Sequence, residues 1–122
     1  MGVGYRMGAL EETVVVRTRD FTPTSDPDFA RVFPAQTLMD GAERFAVFIR
    51  EELQPWVRSR YRVDADDSAY FGHSQGRLFG TYVLLTSPAT FRRYGIRSPS
   101  LWWDDDIMFE YEATYAKTHD AA

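Results

Sequence analysis

The five residues Gly72-His73-Ser74-Gln75-Gly76 have the pattern G-x-S-x-G, in which a serine stands between two glycines. This spacing suits a sharp strand-to-helix turn, because the residues two before and two after the serine approach each other and must be small. Such a turn exposes Ser74 Oγ as a nucleophile, with the N-terminus of the next helix aimed at it. The N–H of Gln75 would form half of an oxyanion hole. The alternative is a glycine-rich turn without chemistry.

A serine becomes an effective nucleophile when a histidine takes its proton and a carboxylate orients that histidine. The sequence contains two histidines. His73 is adjacent to Ser74, so we expect its side chain to point elsewhere and to pack or hydrogen-bond beneath the turn. His119 lies in a polar C-terminal tail, where a frayed terminal residue is expected more than a base.

Three consecutive carboxylates, Asp104, Asp105 and Asp106, are candidates for a metal site or a catalytic acid. Adjacent carboxylates on a regular element cannot converge on one ion, so the pattern favours a solvated, charged loop without a metal. The chain has no cysteine, which excludes disulfides, thiolate zinc sites and a cysteine nucleophile. No cofactor is indicated.

The serine motif needs a strand before it and a helix after it, and the flanking sequence predicts both. The aromatic stretch from Ser68 to His73 is typical of a short buried strand. Apolar residues from Gln75 to Ser87 predict a helix that ends at Ser87-Pro88. Residues 91–98 predict another short strand.

Further elements are predicted on either side of this unit. The β-branched run Val14-Val15-Val16 favours a strand or extended segment over residues 11–20. Asp40 has the position of a helix N-cap, with Glu43 completing a capping box, and apolar spacing continues that helix to about Tyr61 with a kink at Pro55. We also predict a final helix over 107–117 and the end of a buried strand at residues 2–5. The alternation of strands and helices predicts the α/β class with parallel pairing.

Length and composition limit the possible functions. The 122 residues suit one small domain, residues 1–122, with an ordinary hydrophobic content of 44%. A net charge of −4 argues against nucleic-acid binding through a broad basic surface. No apolar run approaches the roughly 18 residues that cross a bilayer, and the first ten residues lack a signal-peptide core. We therefore expect a cytoplasmic protein that binds neither nucleic acid nor membranes.

Five segments together resemble the esterase family of α/β-hydrolases that includes the ferric-enterobactin and related siderophore esterases. The resemblance runs from Gly2 to about Glu110. Its segments are Gly2-Val3-Gly4-Tyr5, Arg19-Asp20-Phe21-Thr22-Pro23-Thr24, residues 48–55 leading to 61–64, Gly72-His73-Ser74-Gln75-Gly76, and Ser98-Pro99-Ser100-Leu101-Trp102-Trp103. It implies a three-layer hydrolase fold with a mostly parallel sheet and flanking helices. It also implies Ser74 as the nucleophile and a small-molecule carboxylic ester as the substrate.

The sequence departs from that family pattern at two positions. Arg77 stands where a small residue is usual, so we expect its side chain to leave the helix–strand contact for solvent. Gln75 replaces an apolar residue, which makes the pocket floor polar. In this fold the acid and the histidine follow the serine in that order, and Asp104 or Asp105 remains open as the acid.

The chain is short for this fold, which commonly needs upward of ~200 residues. We expect a central fragment that lacks the family's histidine loop and its second oxyanion donor. Two functions therefore stay open. One is ester hydrolysis through Ser74, weak in this chain alone. The other is a non-catalytic module that binds esters or oligomerises through exposed sheet edges.

Overall fold

The computed structural model describes residues 10–98 and 100–119, so the strand end predicted at residues 2–5 lies outside the described residues. The elements in chain order are α1 (Leu10–Phe21), α2 (Pro27–Val32), α3 (Ala42–Phe48), α4 (Gln54–Arg60), β1 (Ala69–Gly72), α5 (Gln75–Thr86), β2 (Arg93–Ile96) and α6 (Trp103–Thr118). A π-helical turn, Ile49–Leu53, joins α3 to α4, and a 3₁₀ turn, Pro88–Thr90, follows α5.

The sheet consists of β1 and β2, which pair in parallel with Tyr70 opposite Tyr94 and Gly72 opposite Ile96. Helix α5 connects the two strands and packs on the face that carries Tyr70 and Ile96. The predicted strand–turn–helix–strand order and the α/β class are therefore confirmed. The expectation that β1 is buried is wrong, because Phe71 on the other face of the strand is 77% exposed.

The predicted strand over residues 11–20 is instead helix α1. Strand preference of β-branched residues depends strongly on context, and the tertiary contacts of α1 outweigh it here. Thr18 and Thr22 are fully buried. The Phe21 ring lies 5.8 Å from Phe45 and 5.7 Å from Phe79, which ties α1 to α3 and α5.

Helix α3 begins at Ala42, and its N-cap is Gly41 rather than Asp40. The capping-box prediction is wrong because backbone groups at the end of α1 satisfy this helix entry. Gly41 N–H donates to Arg19 O at 2.9 Å, and Ala42 N–H donates to Thr22 O at 3.1 Å. A Cβ on Gly41 would lie 2.7 Å from Arg19 O, so this close approach requires glycine.

The predicted weakening at Pro55 is confirmed as a change of helix type. Proline removes one helical N–H and crowds the preceding turn. The turn before it is π-helical, with Gln54 N–H donating to Ile49 O. Trp56 belongs to the apolar spacing from which this helix was predicted, yet it is 45% exposed. It lies beyond this change of pitch, where it contacts Tyr61 and Arg60 on the surface.

Helix α5 is the centre of the packing, since it contributes to two buried clusters. One cluster joins α5 to α3, and the other joins it to α6. Burying a side chain such as that of Phe79 stabilises the fold by roughly 1.5–3 kcal/mol. The clusters are Ala42, Ala46, Ile49, Phe79 and Val83, and Leu78, Trp103 and Met108. The start of α5, where the serine motif lies, is thereby anchored from both sides.

Helix α6 confirms the helix predicted over 107–117 and continues it to Thr118. Its range begins at Trp103, but the three aspartates that follow are not α-helical: they form a left-handed turn with φ values of 47°, 50° and 61°, in place of the predicted acidic loop. Aspartate adopts this conformation more readily than most residues. Within residues 10–98 and 100–119, no helix is long and apolar enough to cross a bilayer.

Candidate active site

Ser74 lies between the end of β1 and the start of α5 with φ 56° and ψ −121°. We call residues 72–76 the serine turn. A serine at a helix N-cap usually accepts a backbone N–H with its hydroxyl, but Ser74 makes no such bond. Its side chain is exposed. A non-glycine residue in this conformation costs about 1–3 kcal/mol and persists only where the surroundings enforce it.

The tightest contact of the turn is at Gly72. A Cβ there would lie 2.3 Å from Gly76 O and 2.9 Å from Arg77 N, both backbone atoms. At Gly76 a Cβ would meet only side-chain atoms at ordinary contact distances, Tyr70 Oη at 3.5 Å and Phe21 Cε2 at 3.9 Å. The expectation that both positions require a small residue therefore holds sterically for Gly72 alone. The carbonyl group of Gly76 faces Gly72, whereas a side chain on Gly76 would point toward the Tyr70 ring, where there is room for it.

The turn's own backbone bonds leave one donor available next to the serine. Gly76 N–H donates to His73 O and Arg77 N–H donates to Ser74 O, both at 2.9 Å. Gln75 is the first residue of α5, and a helix supplies no acceptor for its first N–H groups. The Gln75 N–H is thus suited to stabilising negative charge beside Ser74.

The Gln75 side chain contacts α1. Its Oε1 atom accepts from Arg17 Nη1 and from Thr18 Oγ1, each at 3.3 Å. A second Arg17 nitrogen, Nη2, donates to His73 O at 3.1 Å, and its guanidinium lies 5.2 Å from the centre of the Phe21 ring. Arg17 was not a sequence candidate, because it precedes the turn by more than fifty residues in a segment predicted as a strand.

Arg77 does not leave the turn for solvent, so that expectation is wrong. Its half-buried side chain folds back over the strand ends. The guanidinium donates to Gly72 O at 3.2 Å and to Ser98 O at 3.3 Å, and it contacts His73 Nδ1 at 3.1 Å. A guanidinium has five N–H donors, and strand-end carbonyls are available within its reach.

The two histidines make contacts other than with Ser74. The hydrogen bond predicted for His73 is present, with Arg77, although the imidazole is exposed rather than beneath the turn. His119 follows α6, where its ring stacks on Tyr115 at 3.9 Å and its Nδ1 lies 3.1 Å from Tyr115 O. Each ring is thus held by a neighbour along its own chain segment.

The turn of Asp104, Asp105 and Asp106 makes its described contact with α2 rather than with Ser74. Asp104 N–H donates to Asp26 Oδ2 at 2.9 Å, which links α6 to the start of α2. The Asp105 and Asp106 side chains are exposed. Among the residues that the structure describes, no three His, Asp or Glu side chains lie together as a metal-binding group.

Tyr70 supports the turn from the sheet. Its hydroxyl donates to Gly76 O. Burial raises the pKa of Tyr70 well above its usual value, and nearby Arg17 offsets a part of that rise. Tyr70 therefore remains a neutral donor across the physiological range.

An open cavity of about 670 Å³ adjoins the turn along β1. Arg17, His73 and Gly76 line its end at the serine turn, and the side chains of Phe45 and Leu53 form part of its apolar wall. Polar groups at one end of an apolar cavity are typical of small-molecule sites.

Known proteins match this chain over most of its length. A family model described as "Putative esterase" matches residues 11–122. The chain is 40% identical to a ferri-bacillibactin esterase of Bacillus subtilis, over 90% of this chain and 38% of that protein. It is 37% identical to a siderophore enterobactin esterase of Emericella nidulans, over 73% of this chain and 31% of that protein.

Solved structures agree with these matches. The siderophore hydrolase EstA of Aspergillus nidulans superposes with a TM-score of 0.78 at 30% identity, covering 98% of this chain and 41% of that one. The BES protein of Bacillus cereus gives 0.74 at 32% identity, covering 88% and 39%. The chain thus spans 31–41% of the length of these relatives. With its parallel strand–helix–strand unit and these matches, the chain belongs to the esterase family of α/β-hydrolase fold.

Proposed function

We propose that this chain carries the nucleophile of a serine esterase that acts on carboxylic esters, of the siderophore type or with short acyl groups. The observation that carries the proposal is the position of Ser74 at the N-terminus of α5. Its backbone adopts φ 56°, and its hydroxyl makes no capping hydrogen bond to the helix. The relatives of this chain include siderophore esterases from a bacterium and from a fungus, which supports the ester class.

In the proposed reaction, Ser74 Oγ attacks the ester carbonyl carbon while a base takes the hydroxyl proton. The tetrahedral oxyanion accepts a hydrogen bond from Gln75 N–H, a contact worth roughly 3–4 kcal/mol in comparable enzymes. Collapse of the intermediate breaks the ester C–O bond, and the leaving alcohol takes the proton from the base. Water then hydrolyses the acyl-Ser74 ester and regenerates the serine.

A second candidate is a non-catalytic module that binds an ester without turnover. It is favoured by the contacts of the histidines, since His73 Nδ1 faces Arg77 and His119 packs on α6. We therefore propose that the chain by itself hydrolyses esters only weakly. Within residues 10–98 and 100–119 the sheet holds only β1 and β2, and Phe71 of β1 is exposed, which makes this strand a candidate edge for self-association.

A fluorophosphonate probe tests the nucleophile, because labelling requires an activated hydroxyl. The purified chain should be labelled at Ser74, as located by peptide mass spectrometry. Ser74→Ala should lose the label, whereas Ser59→Ala, an exposed serine on α4, should keep it. Absence of labelling in the unsubstituted chain would favour the non-catalytic module.

Hydrolysis of a short-chain aryl ester tests the strength of turnover. We expect a rate close to background for the 122-residue chain. Fast hydrolysis that Ser74→Ala abolishes would contradict the proposal of weak turnover while supporting the nucleophile. Native mass spectrometry of the same sample shows whether the chain self-associates, and a strictly monomeric sample would contradict that part.

A further inference from the structure

We propose that Arg77 is a positioning residue, which ties the serine turn to the chain after β2 and holds His73 in its Nε2–H tautomer. Its effect on Ser74 reactivity rests on the proposed function, whereas its effect on the turn and on His73 does not. Among the described contacts, no side chain of the serine turn itself joins the turn to the chain after β2.

The first observation is the geometry of the guanidinium. Three of its nitrogens contact three acceptors on two segments, the serine turn and the chain after β2: Nε to Gly72 O, Nη1 to Ser98 O, and Nη2 to His73 Nδ1, at 3.1–3.3 Å. A planar fork with fixed donor directions suits several acceptors at once, as a lysine ammonium on a flexible stem does not. None of the three acceptors is a carboxylate, so these contacts do not pair the guanidinium with an opposite charge.

The second observation is where the sheet ends. The β1–β2 ladder stops at the pair Gly72 and Ile96, after which the chain of β1 enters the serine turn and the chain after β2 continues to Ser98. Ser98 is itself held at φ 50°. Arg77 bridges the carbonyls of Gly72 and Ser98 where no further backbone pairing joins the strands. It therefore continues the cross-strand connection past the last ladder pair.

The third observation concerns protons. Arginine only donates, so His73 Nδ1 must accept and the neutral imidazole must carry its proton on Nε2. His119 Nδ1 lies 3.1 Å from Tyr115 O, which only accepts, and 2.9 Å from Thr118 Oγ1, which can donate or accept, so these contacts do not select one tautomer. His119 therefore serves as an internal reference only because Arg77 does not contact it.

Imidazole ¹⁵N shifts of the uniformly labelled chain, measured above neutral pH, report both tautomers in one spectrum. We expect His73 mainly as Nε2–H. Arg77→Met should shift His73 toward a mixture and leave His119 unchanged. Arg93→Met is the matched control, because it removes an exposed guanidinium that pairs with Asp67. Mainly Nδ1–H His73 in the unsubstituted chain, or no change in Arg77→Met, would overturn the proposal.

Amide hydrogen exchange tests the turn independently of any activity. The N–H groups of Gly76 and Arg77, which bond within the turn, should exchange about tenfold faster in Arg77→Met, a change typical of one lost hydrogen bond. Arg77→Lys, which keeps the charge and helix propensity, should show most of the same acceleration. Equal exchange rates in the unsubstituted chain and both variants would refute the proposal that Arg77 holds the serine turn in place.

Probe labelling separates this proposal from the proposed function. If Ser74 labels, the rate should fall about tenfold in Arg77→Met and remain unchanged in Arg93→Met. If Ser74 does not label but the tautomer and exchange results hold, the esterase proposal fails and Arg77 keeps its structural role. Labelling that is equally fast in Arg77→Met would overturn positioning of the serine.

Discussion

Gly72→Ala and Gly76→Ala form a matched pair that tests the packing of the serine turn. Both substitutions add one methyl group to a glycine of the same motif. At Gly72 the added carbon would lie 2.3 Å from Gly76 O and 2.5 Å from Gly76 C, and neither backbone atom can rotate away. At Gly76 the nearest atom is Tyr70 Oη at 3.5 Å. The two variants should therefore differ strongly although their chemistry is identical.

The magnitude follows from these distances. Restoring an ordinary contact at Gly72 requires the strand end and the helix start to separate by about 1 Å. Overpacking of a close contact costs typically 1–3 kcal/mol, and this rigid site should reach about 3 kcal/mol. For a chain of this size that lowers Tm by roughly 10 °C. Gly76→Ala should be neutral or stabilise the chain by up to about 1 kcal/mol, because alanine favours a helix over glycine.

Thermal and urea unfolding followed by circular dichroism measure both free energies of unfolding. Where Ser74 labels with a fluorophosphonate, the labelling rate should also fall about a hundredfold in Gly72→Ala, since a displacement near 1 Å has that effect on positioned groups. Equal stability of the two variants would refute the reasoning. It would mean that the strand end and the helix start are not in the close contact described.

Three other changes should have separate effects. Ser74→Gly should abolish labelling yet raise stability by about 1 kcal/mol, because glycine relieves the backbone strain at φ 56°; a loss of stability would contradict that strain. Asp26→Ala should cost about 2–3 kcal/mol in urea unfolding, since this buried carboxylate accepts from α2 and from Asp104 N–H, whereas exposed Asp28→Ala should cost little. Burial raises the folded-state pKa of four tyrosines above 10, namely Tyr70, Tyr82, Tyr94 and Tyr111. The free energy of unfolding should therefore be retained below pH 10 and fall above it, less steeply in Tyr70→Phe. A flat profile to pH 12 would refute this.

The parts of the fold that could be predicted are those with local signals. The serine motif fixes a strand before it and a helix after it, and Ser87-Pro88 marks the end of α5. The helix from α3 to α4 was also predicted, together with its perturbation at Pro55. In each case a proline, a glycine or a regular apolar spacing acts on residues close in sequence, so a reader of the sequence sees both the cause and its effect.

The parts that failed depend on contacts between distant segments. The valine run of α1 has a strand preference of its own, and only packing against α3 and α5 makes the helix. The entry of α3 lacks a side-chain cap because Arg19 O and Thr22 O reach it from α1. No spacing within the sequence indicates that one segment's carbonyls will satisfy another segment's N–H groups.

The same distinction applies to the candidate site. Ser74 and its glycines were found because their pattern is local. Arg17 and the direction of Arg77 were not, since both depend on carbonyls that the tertiary structure presents. The helix-rich surroundings also explain why Gln75, an unusual residue by family resemblance, is satisfied in the structure by donors from α1.

The strained backbone at Ser74 requires that its surroundings hold it, and three side chains outside the five-residue motif do so. Gly72 O accepts from Arg77, His73 O from Arg17, and Gly76 O from Tyr70. Each hydrogen bond contributes about 0.5–1.5 kcal/mol, which together offsets a strain of about 1–3 kcal/mol. These donors come from α5, α1 and β1, so the serine's conformation depends on packing among elements far apart in sequence. The motif determines which residue is presented, and the surrounding donors determine whether it stays in position.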